Sequence, residues 1–389
     1  MHPPRKIPRS IWILGFVSMF MDISSELIHS LLPVFLVSAL GASVFMVGVI
    51  EGVAESTALI VKIFSGTISD YLGRRKGLAV LGYGLGAISK PVFAMAVSVN
   101  WVFFARFTDR IGKGIRGAPR DAIIADLTPV EVRGAAYGLR QALDTVGAFL
   151  GPMLGIILMI LLVDNFQQVF WFATIPAFLA VLLLVVGVKE PEHIYQTKET
   201  TPAIRFTTLK QFDHTYWWVV IFGAALTLAR FSEAFLILRA QNIGLPDTFA
   251  PAILIIMNII YALSAYPAGK LADRISHNRL MVAGLVILIS ADLILAYAAD
   301  LAFVFSGVIL WGLHMGMTQG LLATMVAKAA PERLRGTAFG IFNLISGIAM
   351  LCAGLLAGGL WDIYGASVTF YTGAIIAFIT LVLLLLRKN

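Results

Sequence analysis

Twelve apolar segments, each near or above the roughly 20 residues that cross a bilayer as a helix, take up almost the whole chain. They fall near residues 10–38, 43–65, 77–97, 101–123, 135–162, 167–188, 215–238, 248–268, 280–299, 302–327, 337–359 and 367–386. They are too long for the strands of roughly 10 alternating residues that build a membrane β-barrel. So little lies between them that no separate soluble domain fits. A content of 59% apolar and 13% charged residues also lies outside the range of soluble domains. The expected fold is therefore an all-α membrane protein of twelve transmembrane helices.

Charge placement sets the expected orientation. Arg5, Lys6 and Arg9 precede a first apolar run that is interrupted by Asp22, Glu26 and His29 and is too long for a cleaved leader, so it reads as a retained helix. With the N-terminus in the cytoplasm, 19 of the 29 Lys and Arg fall in cytoplasmic segments and only Arg239 in an outer loop, which predicts both termini inside. The net charge of +7 then belongs to loops facing anionic lipid, and nucleic acid is not an expected partner. The expected location is the inner (cytoplasmic) membrane. The single Cys352 sits in an apolar run and reads as packing.

The chain repeats itself. Gly66, Asp70, Gly73, Arg74, Arg75 and Lys76 are echoed 203 residues later by Gly269, Asp273, Arg274 and Arg279. Pro129, Arg133, Gly134 and Gly138 return at an offset of 202 as Pro331, Arg335, Gly336 and Gly340, with Glu131 and Glu332 inside the two copies. Two matches at nearly one spacing predict two six-helix bundles, 1–188 and 214–389, joined by a linker over 189–213. Parallel halves of this kind place a substrate cavity at their interface near the bilayer midplane, worked by rocking one half on the other.

The Gly66–Lys76 loop resembles the signature loop of the major facilitator superfamily, the twelve-helix secondary transporters. The resemblance implies a conformational latch at Gly66, Asp70, Gly73, Arg74 and Arg75, with Asp273 and Arg274 in the worn copy, and Asp70 facing the helix that opens near Gly336. Arg106 resembles the fourth-helix arginine that proton-coupled members link to proton transfer. Gly138, Gly147, Gly151, Pro152 and Gly155 resemble the fifth-helix motif of the antiporters, with Ile156 in place of the last glycine. Within that superfamily the chain resembles the bacterial group of drug and proton antiporters.

Charges inside spans are costly and mark function or pairing. Arg106, Asp109, Arg110 and Lys113 share one helical face, as do Asp22, Glu26 and His29. Asp22 and Glu26, with Arg106 and Asp109, are the candidates for proton coupling. A buried structural ion network is the competing reading, because nine intramembrane bases face nine acids. Arg140 and Asp144, four apart, suggest an intrahelical pair. His29, Glu51, Glu55, Arg110, Lys113, Gln141, Arg230, Glu233, Asn258 and Asn343 are candidates to line the substrate cavity.

The expected activity is proton-coupled antiport, exporting a small organic molecule by alternating access. An organic anion, such as a carboxylate metabolite or siderophore, is the alternative, because Lys90, Arg110 and Lys113 exceed what the fourth-helix pattern requires. Divalent metal transport through Asp22, Glu26 and His29 ranks below both, since one helix rarely completes a coordination shell. No hydrolytic motif or nucleotide loop stands out, so neither an enzyme nor a self-contained pump is expected. No cofactor or resident metal is expected, and the partners are substrate, protons and lipid around a monomer.

Overall fold

A computed structural model describes residues 7–72, 75–190, 209, 211–272 and 274–386, with the side chains of Asp70, Leu72 and Arg333 left aside. The first half holds α1 (Arg9–Val34), which runs into a π turn at Phe35–Ala39, then α2 (Val44–Leu72), α3 (Arg75–Ala94), α4 (Val99–Leu127), α5 (Arg133–Leu161) and α6 (Phe166–Gly187). The second holds α7 (His214–Ala229), α8 (Ala234–Asn242), α9 (Ala252–Ala272), α10 (His277–Tyr297), α11 (Leu301–Ala329), α12 (Arg335–Tyr364) and α13 (Ala366–Leu386).

Eleven segments among the described residues are long and apolar enough to cross a membrane, with α7 and α8 together forming one of them. The missing twelfth is α4, which has the length at 29 residues but carries too many charges to pass on composition. The seventh span, expected as one helix, is broken at residues 230–233. Arg230 adopts an extended backbone at the end of α7, and the Ser232 hydroxyl accepts from the Ala234 amide to start α8. Two charged residues and a capping serine within four positions favour a restart over a continuous helix.

Contacts group the chain into two compact units, residues 1–31 with 57–202, and residues 32–56 with 203–389. Within the second unit the first turns of α2 lie close on α12. A methyl group built on Gly48 would run into the Gly354 carbonyl oxygen, so only glycine fits at this crossing. Asp362 of α12 accepts from the amides of Val44 and Phe45 at 3.1 and 3.0 Å, capping α2.

The sequence repeat is also a repeat of elements. Arg75 and His277 open α3 and α10, Val99 and Leu301 open α4 and α11, and Arg133 and Arg335 open α5 and α12, a constant spacing of 202. The caps repeat too, since Ser98 accepts from the Trp101 amide and Asp300 from that of Phe303. Packing keeps the same register. Gly82 of α3 meets Gly112 and Arg116 of α4, and Gly284 of α10 meets His314 and Thr318 of α11.

Arg239, the lone outer-loop base of the sequence reading, is buried at the end of α8. Its guanidinium donates to the carbonyls of Leu295, Ala296 and Ala298 and to Asn242 Oδ1, closing the C-terminus of α10. Cys352 departs from expectation, because it lies exposed on the surface of α12 and is not packed.

Candidate functional site

The densest polar cluster lies within the first unit, where α4 packs against α3. Asp109 is 2% exposed, and its Oδ1 accepts from Lys90 Nζ at 2.7 Å. Lys90 also donates to Ser25 Oγ at 3.1 Å, and Arg110 Nε stands 3.8 Å from Asp109 Oδ2. Arg106 and Arg116 act on the same carboxylate, so one acid is surrounded by four bases. Arg116 is further held over the Tyr83 ring, 4.9 Å from its centroid. The close approach of Gly82 and Gly112 brings α3 and α4 near enough for Lys90 to reach α4.

Beside this cluster α1 presents Asp22 and Glu26, both half-buried. His29 Nδ1 lies 3.4 Å from Glu26 Oε2. The glycines of α5 bring that helix directly against the turns bearing the two acids. A methyl on Gly147 would stand 2.7 Å from the Met19 carbonyl oxygen and 2.9 Å from Asp22 Cβ, and one on Gly151 would stand 3.0 Å from Glu26 Cβ. Gly138, by contrast, has nothing within 4 Å, while Pro152 and Gly155 are buried further along α5.

Lys113 acts on both Asp22 and Glu26, joined by Arg116 at the first and Arg110 at the second. It is exposed although it stands mid-span in α4, so it borders open space. Asp144 also acts on Asp22, so with every group charged the five bases Lys90, Arg106, Arg110, Lys113 and Arg116 face four acids, Asp22, Glu26, Asp109 and Asp144. Further along, Arg140 pairs with Asp144 at 3.1 Å and touches Gln141 Oε1 at 2.9 Å, the intrahelical pair that their spacing suggests.

In the second unit Glu51 is buried and Glu55 half-buried on α2. Arg230 and Glu233 flank the break of the seventh span and act on each other. Asn258 and Asn343 are half-buried on α9 and α12. A cavity of about 630 Å³, not foreseen from sequence, lies between α9 and α11, lined by Tyr261, Gly269, His277, Gln319 and Lys328 among others. Of the latch residues, Gly66 is half-buried on α2, and Arg75 ties α3 to Asp126 and to the Ala122 carbonyl of α4. Arg274 is exposed. Gly73, Arg74, Asp273 and the Asp70 side chain lie outside the described residues.

No three of His, Cys, Asp and Glu among the described residues come together as a metal-holding group, and this includes Asp22, Glu26 and His29. Two residues outside the sequence-based site candidates stand out. Asp362 has no local signature. Asp292, one of the nine intramembrane acids, gains a specific meaning only through the spacing of 202, which matches it to Lys90.

The family model described as Major Facilitator Superfamily matches residues 13–239 and 228–389. The chain is 30% identical over 390 residues to an uncharacterized MFS-type transporter of Methanocaldococcus jannaschii, covering 98% of this chain and 95% of that protein. It is 25% identical over 220 residues to the quinolone resistance protein NorA of Staphylococcus aureus, covering 57% of this chain and 54% of NorA. Among solved structures, the nucleoside transporter NupG, as a D323A mutant, is similar with a TM-score of 0.80 at 14% identity, over 96% of this chain and 98% of that one.

Proposed function

This chain belongs to the major facilitator superfamily, and on that premise we propose that it is a proton-coupled carrier of a small organic anion. Transport of a small molecule across a membrane, without chemical turnover, follows from the family. The cargo and the coupling are our reading. What carries that reading is the excess of base at Glu26, where Lys113, Arg110 and His29 act on one carboxylate after Lys90 has been spent on Asp109, whereas at Asp22 the carboxylate of Asp144 offsets Arg116 and Lys113.

The physical argument is one of linkage. Protonating Asp22 or Glu26 removes negative charge beside Arg110, Lys113 and Arg116, so it strengthens attraction for an anion there. By reciprocity, a bound anion strengthens proton binding. Proton and anion therefore favour each other's presence, the condition for carrying both in one direction. Arg106 and Asp109 serve this site as a positioning network that holds α4 against α3. The reading includes a monomer in the cytoplasmic membrane with both termini inside, from the one-sided placement of Lys and Arg.

A second reading is antiport, exporting a neutral or cationic drug-like molecule. It is favoured by the α5 glycines seated on the turns of Asp22 and Glu26 and by the likeness to NorA. Proteoliposomes holding the purified chain separate the two. An imposed inward proton gradient is expected to drive uptake of a member of a small-carboxylate panel in the direction of the protons. Movement of cationic dyes against the proton flow, with no carboxylate moved, would replace the first reading by the second.

A further inference from the structure

On the register shared by the two units, Lys90 corresponds to Asp292 and Asp109 to Trp311. The correspondence is physical as well as numerical, because Gly82 and Gly284 make matching crossings onto α4 and α11. In the first unit the two positions form a buried ion pair. In the second, Asp292 is 0% exposed, and neither of its carboxylate oxygens has a hydrogen-bond partner. The Trp311 indole N–H, 1% exposed, has none either. The second unit has put an acid where the first has a base, and has supplied no counter-charge.

The surroundings of Asp292 are specific. A methyl on Gly373 of α13 would stand 2.8 Å from Asp292 Oδ2 and 3.2 Å from the Phe231 ring, so the carboxyl lies behind the break in the seventh span. Titratable groups on the packed elements include His314 on α11, Tyr371 on α13, Tyr261 on α9, and Arg230 and Glu233 at the break. His314 is engaged by the Gly284 carbonyl at 2.8 Å, Tyr371 stacks edge-on with Tyr297, and Arg230 is engaged with Glu233. Among the described residues no charged group acts on Asp292. An ionised carboxylate there would lack any partner, so the neutral acid is the species that fits.

The break offers what the ionised form needs. Residues 230–233 interrupt the helix, leaving amides at the start of α8 and the Arg230 guanidinium within the same short segment. We propose that Asp292 is a proton-binding site of the second unit, loaded while enclosed behind Phe231 and released to water when the 230–233 break shifts. In that step the carboxyl O–H bond breaks, the proton leaves to water, and the carboxylate turns toward Arg230. This site is independent of Asp22 and Glu26, and either can fail without the other.

The test is infrared difference spectroscopy of the full chain in liposomes, titrated with pH in ordinary and heavy water. The expected result is a carbonyl band of a protonated carboxylic acid that disappears reversibly as pH rises. Asp292→Asn should lose this band, and Asp292→Glu, which keeps the acid if the asparagine variant does not fold, should shift it. A band that Asp292→Glu leaves unmoved belongs to another acid and overturns the proposal, as does an Asp292 band that persists unchanged to alkaline pH. Loss of the Asp292 band on adding sodium or lithium at fixed pH would replace the proton by a metal cation and overturn it equally.

Discussion

Lys90 Nζ stands 2.7 Å from Asp109 Oδ1, with both side chains closed off from solvent. The pair is not symmetric in what it holds, because Asp109 also faces Arg106, Arg110 and Arg116, while among the described residues Lys90 donates otherwise to Ser25 alone. Breaking a buried pair by removing one partner costs about 3–5 kcal/mol, and the cost grows with the charge left uncompensated. Asp109→Asn is therefore expected to lower the thermal unfolding midpoint of the purified protein more than Lys90→Met does. Equal shifts, or the reverse order, would mean that the arginines find other compensation and that Asp109 is not the centre of the network.

The α5 glycines are not equivalent, although the sequence motif treats them alike. Gly147 meets the Met19 backbone and Asp22 Cβ at distances that leave no room for a methyl, whereas Gly138 faces open space. Gly147→Ala is expected to push α1 and α5 apart, at about 1–3 kcal/mol of stability, and to lower transport strongly. Gly138→Ala is expected to leave both near wild type. Parallel measurement of unfolding midpoint and vesicle transport checks the pair, and a silent Gly147→Ala would show that the close crossing is not used.

Much of this architecture was legible before any coordinates. Span lengths follow from hydropathy, because membrane helices must satisfy their backbones internally and so leave a clear length signature. The 202-residue spacing carried over to helix starts, caps and glycine crossings alike. What stayed hidden was set by tertiary context. The break at residues 230–233 lies inside a run long and apolar enough to span as one helix, with only Arg230, Ser232 and Glu233 as its local signal. Lys90, read as a surplus cation from α3 alone, is spent on Asp109 across the α3–α4 crossing. Arg239 reads as an exception to the charge bias, yet its fork closes three carbonyls of another helix end. Asp292 is one acid among the nine in the spans, and only its correspondence to the paired Lys90 sets it apart.

The acids of α1 yield a prediction about coupling as distinct from binding. Asp22→Asn and Glu26→Gln keep shape and hydrogen-bonding capacity but can no longer take up or release a proton. Each is expected to reduce gradient-driven accumulation about tenfold or more, equivalent to at least about 1.4 kcal/mol, while gradient-free exchange of the same solute continues. Both modes are measured in one proteoliposome preparation. Accumulation that survives both substitutions would remove these acids from the coupling role.

Asp362 provides the last test, because its carboxylate serves two amides at once. Both oxygens are engaged, one by Val44 N at 3.1 Å and the other by Phe45 N at 3.0 Å, and its negative charge faces the positive end of the α2 dipole. Asp362→Ala removes both acceptors and the charge, at an expected cost of about 0.5–2 kcal/mol, typical of losing a cap. Asp362→Asn keeps one carbonyl acceptor and should cost less. Hydrogen exchange localises the effect, with faster exchange expected at Val44 and Phe45 in the alanine variant and little change at α4. The tight crossing of Gly48 on Gly354 starts within the next turn of α2, so loss of the cap should loosen it as well. If exchange at residues 44–52 is unchanged in Asp362→Ala, the glycine crossing alone holds the start of α2, and the carboxylate is dispensable.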